Sequence, residues 1–289
     1  MSCWIAATAV ERDAGRIAVD QPELWREVRR FNLPVKLALA AAHRVIGALA
    51  EPRRARLVAL APCRPGSPEL RAISRELDAG FARGSCDRLR VNPIYTLHAI
   101  DNLALSALAI RLENREPSVC LGGAAGQAFA ALELALEQAS DELATGGDAP
   151  GASWLDAARE LVIFGGDQSD TSWRGEPSDA EACGVAIVLT ARPARVRLVA
   201  VERSPLGPPV GPLAGPMAGP PVGPMAGPPA GPIDEPRHSD GQAPVAHAVR
   251  GLAGWLAALA AAPAGVHRHA VPARDGDGVD RIEIVTEVV

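Results

Sequence analysis

The stretch Glu116-Pro-Ser-Val-Cys-Leu-Gly-Gly-Ala-Ala-Gly-Gln-Ala-Phe-Ala-Ala-Leu-Glu-Leu-Ala135 decides the fold. Val119 to Leu121 is a short apolar run that suits a buried strand, and the small residues Gly122, Gly123, Ala124, Ala125 and Gly126 permit a tight turn. From Ala125 to Leu143 the pattern is that of a long amphipathic helix, followed by a second strand at Glu160 to Gly165. Strand, helix, strand in this order predicts a parallel crossover in an α/β sheet.

Working outward, Cys3 to Val10 is expected as a first strand. Pro22 opens a short helix, Glu23 to Phe31, and Pro34 starts a second whose apolar stripe (Leu37, Ala40, Ala41, Val45, Ile46, Leu49) runs until Pro52. Arg56 to Ala61 reads as a strand. Ser67 and Pro68 cap a helix from Glu69 to Phe81 that ends at Gly84. Asn92-Pro93 opens a helix through Leu112 that is apolar on more than one side, which implies burial between layers or subunits.

Beyond the crossover, Gly184 to Thr190 and Arg195 to Val201 are strand-like and joined by a short link, so an antiparallel hairpin is expected and the sheet becomes mixed. Residues 204–241 collapse into Gly-Pro repeats with too little apolar surface to offset ordering, and are read as a flexible insertion. A proline-rich docking site is the alternative there, disfavoured because glycine breaks the PxxP ridge. Val245 to Ala262 regains helical periodicity, and Arg281 to Val288 alternates as a closing strand. One helix and one strand are too little for a separate unit, so residues 1–289 are expected to form a single domain around the insertion.

Composition narrows the function classes. The chain has 29 basic and 34 acidic side chains and a net charge of −5, which disfavours nonspecific nucleic-acid binding. Cys3, Cys63, Cys86, Cys120 and Cys183 are odd in number and never spaced Cys-x-x-Cys, so neither a zinc site nor a secreted disulfide framework is indicated and a cytoplasmic setting fits. The N-terminus lacks a basic lead and meets Glu11 and Arg12 too soon for a signal peptide. The longest apolar runs, near Leu37 to Leu49 and Val245 to Ala262, are interrupted by charge, so no membrane span is expected.

Pro117-Ser-Val, the small-residue turn and the helix after it resemble the nucleophile strand of β-ketoacyl synthases of the thiolase-like class. Asn92-Pro-Ile-Tyr-Thr-Leu-His-Ala-Ile-Asp-Asn102 is similar to the segment that precedes it in that family, and Leu161-Val-Ile-Phe-Gly-Gly-Asp167 fits the next strand. The resemblance covers Cys3 to Val201 and, more loosely, the last helix and strand. It implies a thiolase-like half: a mixed, mostly parallel sheet flanked by helices. Full ketosynthases carry two such halves in over four hundred residues, and the second, which supplies two catalytic histidines, is missing from this sequence.

The family's pattern puts the nucleophilic cysteine at Ala125. A cysteine at a helix N-terminus works because unpaired N–H groups and the helix dipole favour thiolate and oxyanion; a methyl group does neither. The resemblance therefore implies a short protein of the chain-length-factor type, without cofactor, that pairs with an active ketosynthase in aryl-polyene, polyketide or fatty-acid pathways and meets acyl carrier protein only indirectly. It puts Tyr95, His98, Asn102, Val119 and Cys120 near the partner, and Gln127 and Phe129 where they would narrow the acyl tunnel.

Other readings stay open. Cys120 is either a small core residue or a displaced nucleophile of a small acyltransferase or condensing enzyme, and a structural α/β protein is the third alternative. His98 either lines a channel or is a satisfied helix histidine. His267 and His269, flanking Arg268 in an expected loop, lack further ligands for a metal. Asp167 and Asp170 end a strand where open α/β sheets often keep sites, yet are given no role. Gly122-Gly-Ala-Ala-Gly-Gln127 lacks the GxGxxG order, so nucleotide binding is not expected.

Overall fold

The computed structural model describes residues 2–61, 75, 78, 79, 82, 102–122, 129–137, 160–167, 182–205, 248–275 and 278–289. The helix expected at Glu69 to Phe81, the start of the helix from Asn92, and most of the Gly-Pro insertion lie outside these residues.

The chain opens with β1 (Cys3–Glu11) and three helices: α1 (Ala14–Asp20), α2 (Pro22–Val28) and α3 (Leu33–Ile46). Each helix has a local cause. Asp13 caps α1 by accepting the Gly15 N–H at 2.7 Å, Pro22 stands in the first turn of α2, and Asn32 caps α3 by accepting from Val35 N–H at 3.1 Å with Pro34 in the first turn. Helix α1 is not anticipated in the sequence reading; its only strong signal is the Asp13 cap. Helix α3 ends at Ile46 rather than at Pro52, which instead opens a 3₁₀ turn, Pro52–Arg54.

Then come β2 (Arg56–Leu60), α4 (Leu103–Arg111), β3 (Val119–Leu121), α5 (129–137), β4 (Leu161–Asp167), β5 (Cys183–Thr190), β6 (Val196–Pro205), α6 (Ala248–Ala260), β7 (Gly265–Asp275) and β8 (Gly278–Val288). They build one mixed eight-stranded sheet in the order β3-β2-β4-β5-β1-β6-β8-β7. Strand β2 runs parallel to both β3 and β4, and the pairings from β4 onward are antiparallel. Helices cover both faces. One layer joins α1 to α4 to residues such as Leu57, Val162 and Val188; the other joins α5 and α6 to Leu60, Ile163 and Ile187.

Every residue of β2, β4 and β5 is buried, which explains why these strands read as continuous apolar runs instead of alternating. Helix α3 lies directly on the sheet because glycine lets it: a Cβ on Gly166 would stand 1.9 Å from the Pro34 carbonyl oxygen, and one on Gly184 would stand 2.2 Å from that of Leu37.

Two expectations are corrected. The β5–β6 hairpin does not form, because β1 lies between the two strands and pairs antiparallel with both, Trp4 opposite Thr190 and Ile5 opposite Val196. Both flanks of β1 thereby satisfy backbone groups that would otherwise be buried unpaired. His267, Arg268 and His269 are in strand β7, not a loop. Its alternation is polar: Arg268 pairs with Glu283 of β8 at 2.6 Å, while the half-buried His267 and His269 alternate with it and precede the buried Val271. Strand β7 thus covers the free edge of β8, whose Ile282 and Ile284 are core residues.

Candidate functional site

The parallel strands β2, β3 and β4 send their carboxyl ends to one rim of the sheet. Ligands of open α/β sheets bind outside such a rim.

Strand β3 is held there by its approach. Helix α4 ends with the Leu112 N–H donating to the Leu108 carbonyl and that of Asn114 to Ala109, while Glu113 takes a left-handed φ of 51°. Asn114 then fastens the turn: its amide donates to the carbonyls of Ala55 and Pro52, and its Oδ1 accepts the Glu116 N–H at 2.9 Å. Strand β3 enters parallel to β2, Val58 opposite Val119 and Leu60 opposite Leu121, and the Ala61 N–H donates to the Leu121 carbonyl at 2.7 Å.

Alternation sorts the side chains of β3 between layers. Val119 and Leu121 pack against the α5–α6 side, with Phe129; Cys120 packs against the α3–α4 side. The thiol of Cys120 therefore faces away from the helix that follows the strand. All three residues of β3 are only half-buried, and among the described residues β3 is the last strand on its side of the sheet.

Of the residues singled out in the sequence, Ala125, Gln127, Tyr95, His98 and Asp170 lie outside the described residues. Asn102 stands exposed at the start of α4, with no side-chain capping bond. Phe129 is 0% exposed at the start of α5, enclosed with Leu132, Leu252 and Trp255, its ring beside Gly251 of α6. It is a core residue, and its truncation to Ala is expected to cost about 3–5 kcal/mol.

Asp167 ends β4 at the same rim, 1% exposed, with Oδ2 3.2 Å from Nε of Arg250 on α6. Helix α6 approaches β4 closely because Gly165 has no side chain; a Cβ there would be 2.7 Å from that of Leu60 and 3.2 Å from a methyl of Val249. The Asp167–Arg250 partnership escapes the sequence, since nothing in the local pattern of either segment marks it. Nor does it reveal Glu160, a buried carboxylate at the opposite rim that accepts the Ala50 N–H at 2.7 Å and pairs with Arg192.

His267 contacts the Pro263 carbonyl through Nε2 at 2.7 Å, and burial pushes the pKa of His269 below the usual imidazole value. Among the described residues no group of three or more His, Cys, Asp or Glu side chains is placed to hold a metal, and no helix is long and apolar enough to cross a membrane.

No family model matches the chain, and no curated protein matches it by sequence. Solved structures similar to it include a ketosynthase (ApeO) in complex with its chain length factor (ApeC) from Xenorhabdus doucetiae, at 10% identity over 71% of this chain and 84% of that one, with a TM-score of 0.42. The ishigamide ketosynthase/chain length factor is similar at 14% identity over 71% of this chain and 68% of that one, with a TM-score of 0.43. PksG, an HMG-CoA synthase from Bacillus, is similar at 16% identity and a TM-score of 0.39 over 71% of this chain. The match spans 46% of the PksG chain, less than half its length.

Proposed function

We propose that this chain is a non-catalytic, thiolase-like subunit of the chain-length-factor type, which pairs with an active β-ketoacyl synthase and shapes the tunnel that holds a growing acyl or polyene chain. In the sequence pattern that suggests it, Ala125 occupies the slot of the nucleophile, so the condensation belongs to the partner. Acyl carrier protein delivers to that partner, and the product is of fatty-acid, polyketide or aryl-polyene type.

The observation that carries this reading is the state of β3. Strands β2, β4 and β5 are buried throughout, yet β3, a parallel strand at the sheet edge among the described residues, keeps Val119, Cys120 and Leu121 half-open. Parallel strands are seldom left uncovered. Helix α4, just before β3, adds Ile110, 78% exposed on the side away from its buried Leu105 and Leu108. A mate set along β3 and α4 would cover both, with Asn102 and, by the same resemblance, Tyr95 and His98 in the contact. Gln127 would then limit the tunnel from this side, whereas Phe129, expected to narrow it, is enclosed in the core and can only back its wall.

Co-expression with the ketosynthase encoded beside it, followed by size-exclusion chromatography, tests the pairing. A single heterodimer peak is expected; two separate species in mild salt would overturn it. Incubating the isolated protein with an acyl thioester and measuring its intact mass tests catalysis, and the mass is expected not to change. An acyl adduct on Cys120 would instead establish a small acyltransferase or condensing enzyme.

A further inference from the structure

On the α2–α3–α4 side of the molecule, a cleft with a volume of about 530 Å³ opens between the three helices. Ligand sites of small molecules span roughly 300–1,000 Å³ and combine apolar walls with a few polar groups. This one has both. Ile46 of α3, with Ala107 and Leu112 in and after α4, forms the wall, and the exposed Ile110 forms its lip.

The polar groups are His43 of α3, Arg111 of α4 and Glu27 of α2. Nδ1 of His43 is enclosed and has no hydrogen-bond partner among the described residues. A buried ring nitrogen left unpaired is costly, and a ligand that bonds it removes the cost. Burial, and after it the charge of Arg111, holds the His43 pKa below the usual imidazole value, so the ring meets a ligand neutral. With its proton on Nδ1 it is a donor.

Arg111 is paired with Glu27, but the two are unequally placed: the arginine side chain is 22% exposed and the glutamate 55%. The guanidinium belongs to the cleft, while the carboxylate reaches it from the solvent side. A surface carboxylate of this kind is weakly held and is exchangeable for another anion, whereas a guanidinium fork suits two carboxylate oxygens.

We propose that this cleft binds a medium-chain carboxylate, its headgroup on Arg111 and the Nδ1 of His43, its hydrocarbon along Ile46, Ala107 and Leu112, with Glu27 as the displaceable occupant of the headgroup position. The site is separate from the rim around β3, but its lip, Ile110, is also the residue of α4 that the proposed mate would cover, so it is tested on the chain without a mate.

Isothermal titration of the full chain with sodium octanoate tests it, with octan-1-ol as the uncharged control. Octanoate is expected to bind saturably at one site, and octan-1-ol about tenfold more weakly, because it lacks the charge-assisted bonds. Arg111→Gln should weaken octanoate by about tenfold or more. Glu27→Gln should tighten it, since the competing carboxylate is gone, and Ala107→Phe should block it by filling the wall. The opposite signs of the Arg111 and Glu27 variants separate a site from nonspecific uptake by the core. Should Arg111→Gln fail to fold, Glu27→Gln and Ala107→Phe still decide. Binding that never saturates, equal binding of the alcohol, or no gain in Glu27→Gln would overturn the proposal.

Discussion

The Oδ2 of Asp167 lies 3.2 Å from the Nε of Arg250, joining the end of β4 to the first turn of α6. The aspartate is enclosed, and the guanidinium is a cation within ion-pair distance of it. Removing one partner of a buried pair typically costs about 3–5 kcal/mol, whereas replacing both with apolar groups is often close to neutral. Arg250→Leu should therefore destabilise strongly in urea denaturation, and Asp167→Leu added to it should restore much of the loss. If the double variant is no more stable than Arg250→Leu alone, the pair does not account for the docking of α6.

Asn114 carries the approach to β3 with one amide group. Asn114→Ala removes two donated bonds and one accepted bond, each worth about 0.5–1.5 kcal/mol net. A loss of about 2 kcal/mol is expected. Hydrogen exchange locates it: the amides of Glu116 to Leu121 should exchange faster while those of β5 hold. Uniform acceleration across the sheet would mean that Asn114 supports the whole fold and not the edge strand.

Two glycines should respond to Ala with opposite signs. Gly166→Ala would drive a methyl group into the Pro34 carbonyl beneath α3, where backbone has no room to yield, and the melting temperature should fall sharply. Gly254 lies in α6 with nothing within 4 Å of its Cβ position, so Gly254→Ala should stabilise by about 0.8–1.0 kcal/mol through helix propensity. A loss of stability in Gly254→Ala would show that α6 is covered there.

Burial raises the Cys3 thiol from 9.0 to about 12. A group whose folded pKa is raised contributes stability in full below the unfolded value, and that contribution is lost as pH rises from about 9 toward about 12. Wild-type stability should thus decline above pH 9 more steeply than that of Cys3→Ala, measured by urea midpoints on both sides of that value. Parallel pH profiles would show that Cys3 does not contribute. At neutral pH the native thiol should also resist alkylation.

The layers and most strands are legible in the sequence because β2, β4 and β5 are mostly β-branched or apolar and covered on both faces, so their runs stand out from their flanks. The capped helices α2 and α3 are legible for a similar reason: Pro22, Pro34 and Asn32 are local signals acting on local structure. Strand β7 is not, since its members include His267, Arg268, His269 and Pro272, and it forms only because β8 requires a neighbour. The place of β1 between β5 and β6 is likewise a matter of long-range pairing, to which a run of apolar residues is blind. At the site, the strand Val119 to Leu121 is found at its expected bounds, whereas Glu160, His43 and the Asp167–Arg250 contact join segments far apart in the chain and leave no periodic trace.

Because β1 is made before the other strands of the sheet yet sits between β5 and β6, it must wait for its neighbours until residues 183–205 have been made. Its pairing with Val196 to Leu198 becomes available only after that segment has emerged. Contacts so distant along the chain slow folding, so the nascent strand β1 is a candidate for chaperone protection, and production of the protein should improve when translation is slowed or cooled.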